Sequence, residues 1–178
     1  SQGTIALSAS AVARTAATAR KHASVLVSEL EAAGQTLQLV LAELPDGRLE
    51  APLPAALHDA LVVLGGAARQ VASDVRDRAR TLGRERSSEA AGGLAIARTA
   101  VGDLVDALDR MTSDSVAQGR DVAWIERPRT GAEPPRLLLA PIEVAGSVAG
   151  HLLNGRTSVM TSATLALGES FDPMARAL

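Results

Sequence analysis

The sequence predicts a mainly α protein: an antiparallel bundle of three long helices in residues 1–120, followed by a small β/α segment in residues 121–178. Three observations carry that expectation. Apolar residues recur at spacings of four and three in three stretches, Val12 to Leu44, Leu57 to Leu82 and Leu94 to Met111, the rhythm of a helical face in each. Alanine supplies 35 positions, against one Trp, one Phe and no Tyr, so the core must come from Leu, Val and Ala. Such a core suits closely spaced helices, because Ala has the best helix propensity and lets backbones approach. Beyond Thr112 the pattern changes to short apolar runs bounded by Pro and Gly, which read as strands and loops.

The first stripe runs Val12, Ala16, Ala19, Ala23, Leu26, Leu30, Ala33, Leu37, Val40, Leu44. It keeps phase through Gly34, so the spacing predicts one helix over residues 9–44, with two helices hinged at Gly34 as the alternative. Pro45-Asp46-Gly47 is a stop and turn. A second helix over residues 54–84 opens at Pro54 and carries Leu57, Leu61, Leu64, Ala68, Val71, Val75, Ala79 and Leu82. Gly65-Gly66 lies within it as a weak or close-packed spot. Ser88 is placed to cap a third helix ending near Thr112, with Leu94, Ala97, Val101, Leu104, Leu108 and Met111 as its stripe. Strands follow at 121–126 and 136–140, then a short helix at 143–153, a strand at 157–161 and a helix start at Asp172-Pro173. A lone strand between two helices lacks the partners that a parallel sheet needs. The chain is therefore expected to belong to something larger, which holds the other strands or on which this segment docks.

Composition excludes several classes. Without cysteine, the chain itself can hold no disulfide, thiolate zinc site or iron–sulfur cluster. No apolar run reaches bilayer-spanning length, and the first residues lack the pattern of a signal peptide. Eighteen basic against 20 acidic residues give a net charge of −2, which is not the footprint of a stand-alone nucleic-acid binder. His22, His58 and His151 are scattered without ligand spacing and read as surface histidines. Asp103, Asp106 and Asp109 read as a solvated helix face. Arg69, Arg76, Arg80 and Arg84 share one helix face opposite the apolar stripe. A solvated face is the simpler reading of that strip, and a phosphate-tracking strip the functional one. No aromatic side chains interleave to stack bases.

The most pointed local sequence is Thr161-Ser162-Ala163-Thr164-Leu165, at the C-terminal end of the expected strand, where open α/β sheets bind ligands. Gly168, Ser170-Phe171-Asp172 and Arg176 follow it. Upstream stand Trp124-Ile125-Glu126 and Ala140-Pro141-Ile142-Glu143-Val144. Together these stretches resemble the DinG/XPD family of superfamily-two ATP-dependent DNA helicases. That family's third helicase motif reads T-S-A-T-L, with a G-x-S-F-D segment after it and A-P-[IL]-[DE]-V and W-[IVL]-E steps before it. The detailed likeness covers residues 121–178; residues 1–120 match the helical Arch insertion in length, place and character.

The resemblance implies an Arch domain joined to the closing edge of a RecA-like first motor domain, within a bacterial protein acting in the cytoplasm at the nucleoid in DNA unwinding and repair. Partners would be single-stranded or forked DNA and the remaining motor domains, with no membrane contact. ATP and Mg²⁺ would bind outside this chain, because the phosphate-binding loop and the Asp-Glu-Ala-His motif are absent from it. By the same likeness, Thr161, Ser162 and Thr164 couple ATP state to motor movement, and the chain alone is inactive. Four cysteines that hold a cluster in some members would fall outside residues 1–178, so a cluster in the parent is left open. Trp124 is expected to pack against the motor rather than stack a base. The competing reading is a non-enzymatic helical-bundle interaction or scaffold protein in which Ser-Ala-Thr is accidental.

Overall fold

The computed structural model describes residues 3–82, 88–128 and 133–142. Four helices, not three, build the bundle: α1 (Ala9–Ala19), α2 (Ser24–Glu43), α3 (Ala55–Leu82) and α4 (Ser88–Met111). Each packs on its neighbours in sequence, and α1 also packs on α4, closing a ring. Four short strands complete the fold: β1 (Ile5–Leu7), β2 (Gly47–Arg48), β3 (Asp121–Glu126) and β4 (Arg136–Pro141).

The expected helix over residues 9–44 is two helices, and the break lies at residues 20–23 rather than at Gly34. Ser8 caps α1 by accepting a bond from the Ala11 amide at 3.2 Å. After Ala19 the amides of His22 and Ala23 both bond back to the Ala19 carbonyl, at 2.8 and 3.0 Å, and the chain leaves the helix. The Arg20-Lys21-His22 run contains no Gly or Pro, so no breaker marks the turn. Phase does not mark it either, since Ala19, Ala23 and Val27 are all buried on either side. Reversal there lays α1 against α2, and an Arg20–Glu31 ion pair links the two. Gly34 sits inside α2, where a Cβ would come within 2.8 Å of Val12 Cγ1. Its role is close helix approach, not hinging.

The helices expected at 54–84 and from Ser88 to Thr112 agree with α3 and α4. α3 runs unbroken through Gly65 and Gly66; a Cβ at Gly66 would meet nothing within 4 Å, whereas one at the buried Gly65 would lie 3.4 Å from the Arg69 guanidinium. Gly47 follows α2 with φ +110°, a backbone region that suits glycine and fits the expected turn.

The sheet is antiparallel, in the order β1-β4-β3-β2. β3 and β4 fall at the expected places; β1 and β2, too short to leave an alternating pattern, are additions. The sheet therefore draws strands from both sides of residue 120. Leu7, Ala123, Ile125, Leu137 and Leu139 are buried in the same apolar core as Leu30, Leu37, Leu61, Leu64, Val101 and Leu108 of the helices. The opposite face of the β3–β4 pair carries Val122, Trp124, Leu138 and Ala140, all half-buried. Cross-strand pairs on it are Trp124 with Leu138 and Val122 with Ala140. No helix among the described residues is long and apolar enough to cross a membrane.

Candidate functional site

Two polar features stand out against this apolar framework. The first ties sheet to bundle. Arg110, in the last turn of α4, donates to both carboxylate oxygens of Asp121 at the start of β3, from Nε at 3.1 Å and from Nη2 at 2.5 Å. It also donates to the Gly3 carbonyl at 3.0 Å. Asp121 is only 6% exposed. The Arg110 guanidinium holds its carboxyl below the ordinary value, outweighing the opposing effect of burial. Nearby, Arg127 donates to the Ala42 and Leu44 carbonyls at the end of α2 and pairs with Asp46 at 3.0 Å. A basic side chain on terminal carbonyls satisfies helix-end acceptors that have no partner within the helix.

The second feature is a groove between α3 and α4 with a volume of about 310 Å³. Ala72, Gly102 and Val105 give it small apolar lining, while Arg69, Arg76, Arg98 and Asp106 supply charge. Arg69 is ion-paired with Asp109 across the two helices. Arg76 donates from Nε to the Ala72 carbonyl at 3.2 Å and has no carboxylate partner among the described residues. Arg98 has neither a hydrogen bond nor an ion pair among them. With Arg69 met by Asp109, Arg76 and Arg98 face the single lining carboxylate Asp106, so the groove carries one positive charge in excess.

No family model, curated protein or solved structure matches this chain.

Of the sequence-predicted arginine strip, the fold brings Arg69 and Arg76 into this groove. Arg80 pairs with Asp77 at 3.4 Å on its own helix. Arg84 lies outside the described residues, as do Thr161, Ser162, Ala163, Thr164 and Leu165. The helix at 143–153, the strand at 157–161, the helix start at Asp172 and His151 lie outside them too. Arg98 was missed by reading each helix separately. Pairing of the two helices across a short connection brings Arg98 of α4 into the same groove as Arg76 of α3. Asp109 is an ion-pair partner, and Asp106 lines the groove. Asp106 and Asp103 also line a second cleft of about 650 Å³ between β1, α1 and α4. His58 lies 3.8 Å from Asp59 on an exposed turn of α3. Among the described residues no group of three or more His, Asp or Glu stands where it could hold a metal ion.

Proposed function

We propose that this chain is the Arch-like insertion and adjoining motor edge of a DinG/XPD-like ATP-dependent DNA helicase. The observation that carries the reading is the ordered sequence Trp124-Ile-Glu126, Ala140-Pro-Ile-Glu-Val144 and Thr161-Ser-Ala-Thr-Leu165, with Ser170-Phe-Asp172 behind it. Two features of the fold support it. An insertion must leave its host at two neighbouring points, and the strands that flank the bundle, β1 and β3, lie in one sheet on either side of β4. The sheet face away from the bundle presents Val122, Trp124, Leu138 and Ala140. Antiparallel sheets with one free face normally alternate apolar with polar residues, so this second apolar face suits packing against further protein.

On this reading the bundle closes over the DNA path and helps to part the strands. The sheet joins the bundle to a RecA-like motor, and Thr161, Ser162 and Thr164 link ATP state to motor closure. ATP and Mg²⁺ bind on motor elements outside this chain. The test is coupling in the full-length protein. Thr164→Ala is expected to cut DNA-stimulated ATP turnover by roughly tenfold, the loss of one or two hydroxyl hydrogen bonds, while leaving nucleotide affinity in place. An unchanged rate removes the coupling role.

A further inference from the structure

We propose that the α3–α4 groove is a phosphate-binding site in which Arg76 and Arg98 are the principal ligands. Like charges on facing helices repel, and three guanidinium groups against Asp106 and the Asp109 paired with Arg69 leave this groove one positive charge in excess. Arg69 shows what completion looks like in the same groove: its charge is met by Asp109 across the helix pair. Arg76 and Arg98 have no such partner among the described residues, although both line the same cavity.

An oxyanion between them supplies the missing charge. Guanidinium is the apt group for this, because its planar fork matches two phosphate oxygens and it is always protonated. The lining suits the ligand as well. Ala72 and Gly102 add no bulk, and a Cβ at Gly102 would meet nothing within 4 Å, so the lining there leaves room. A volume of about 310 Å³ is at the small end of ligand sites, fitting a phosphate group rather than a large apolar molecule. Asp106 is the one lining carboxylate without an ion pair among the described residues, and it opposes the anion.

The site stands without the helicase reading. If that reading holds, the phosphate belongs to a DNA backbone; otherwise a free phosphate or phosphate ester fills the groove.

Calorimetric titration of the 178-residue chain at fixed ionic strength, with pyrophosphate and with a short oligothymidylate, tests the proposal. Wild type is expected to bind at least one probe. Arg76→Gln and Arg98→Gln should each weaken binding about tenfold, and the double variant should abolish it. Arg98→Lys, which keeps the charge and loses the fork, should fall between. Asp106→Asn should tighten binding, and Arg78→Gln, outside the groove, should leave it unchanged. Binding of oligothymidylate alone supports the site with a backbone phosphate as its source. Binding of pyrophosphate alone supports it with a free phosphate. Failure of both probes to bind wild type, or equal binding by wild type and the double variant, overturns the proposal.

Discussion

The interior of the bundle and its junction with the sheet are stabilised by different means. Inside the bundle the buried residues are Leu, Val and Ala at helical spacing, with α2 seated on α1 at Gly34 and Val12. At the junction a buried carboxylate, Asp121, is held by Arg110, and Arg127 grips the end of α2 through carbonyl oxygens. Apolar packing is tolerant of exchange among residues of similar volume. A buried ion pair is not, because removing one partner strands the other charge. The bundle should therefore yield gradually to mutation, and the junction abruptly and in a pH-dependent way.

The largest expected effect comes from breaking the ion pair. Asp121→Asn leaves Arg110 without its carboxylate and should cost about 3 kcal/mol in urea denaturation at neutral pH. The sign of the pH dependence follows from the lowered pKa of Asp121. Its contribution is fully present above the ordinary carboxylate value and is lost as pH falls through the lower folded-state value. Below about pH 4 the stability gap between wild type and Asp121→Asn should shrink. A gap that is constant through acid pH would mean that the pair contributes packing rather than charge.

A smaller loss should follow Gly34→Ala. The new methyl would sit 2.8 Å from Val12 Cγ1, and Val12 is fully buried with a stiff β-branched side chain. Overpacking of this kind costs about 1–2 kcal/mol. Combining it with Val12→Ala should recover part of the loss, giving a favourable coupling in a double-mutant cycle. Simple additivity would sink the close-approach explanation.

The smallest effect should have the opposite sign. Gly66→Ala adds a Cβ in open space within α3 and should raise stability by about 0.5–1 kcal/mol through helix propensity. Unlike Gly34, Gly66 serves no contact, and thermal melts of the two variants should move in opposite directions.

The same contrast explains what the sequence made legible. Apolar periodicity is local, so α3 and α4 and the strands β3 and β4 could be read residue by residue. The α1–α2 break could not, because Arg20-Lys21-His22 interrupts the helix without a breaker and the stripe resumes in phase at Ala23. β1 and β2 are three and two residues long, and their pairing depends on partners far along the chain. The junction depends on pairs separated in sequence: Arg110 with Gly3 and Asp121, Arg127 with Ala42. Of the candidate site, the Arg69 and Arg76 face was legible from the helical repeat. Arg98 was not, since it joins them only once α4 is laid antiparallel on α3.

The central claim is that this segment serves an ATP-driven DNA motor. ATP turnover by the full-length protein containing residues 1–178, measured with and without single-stranded DNA, tests it most directly. The account predicts turnover that rises strongly on adding DNA, and none from the 178-residue chain alone. A full-length protein that hydrolyses no ATP in the presence of DNA and Mg²⁺ would contradict it.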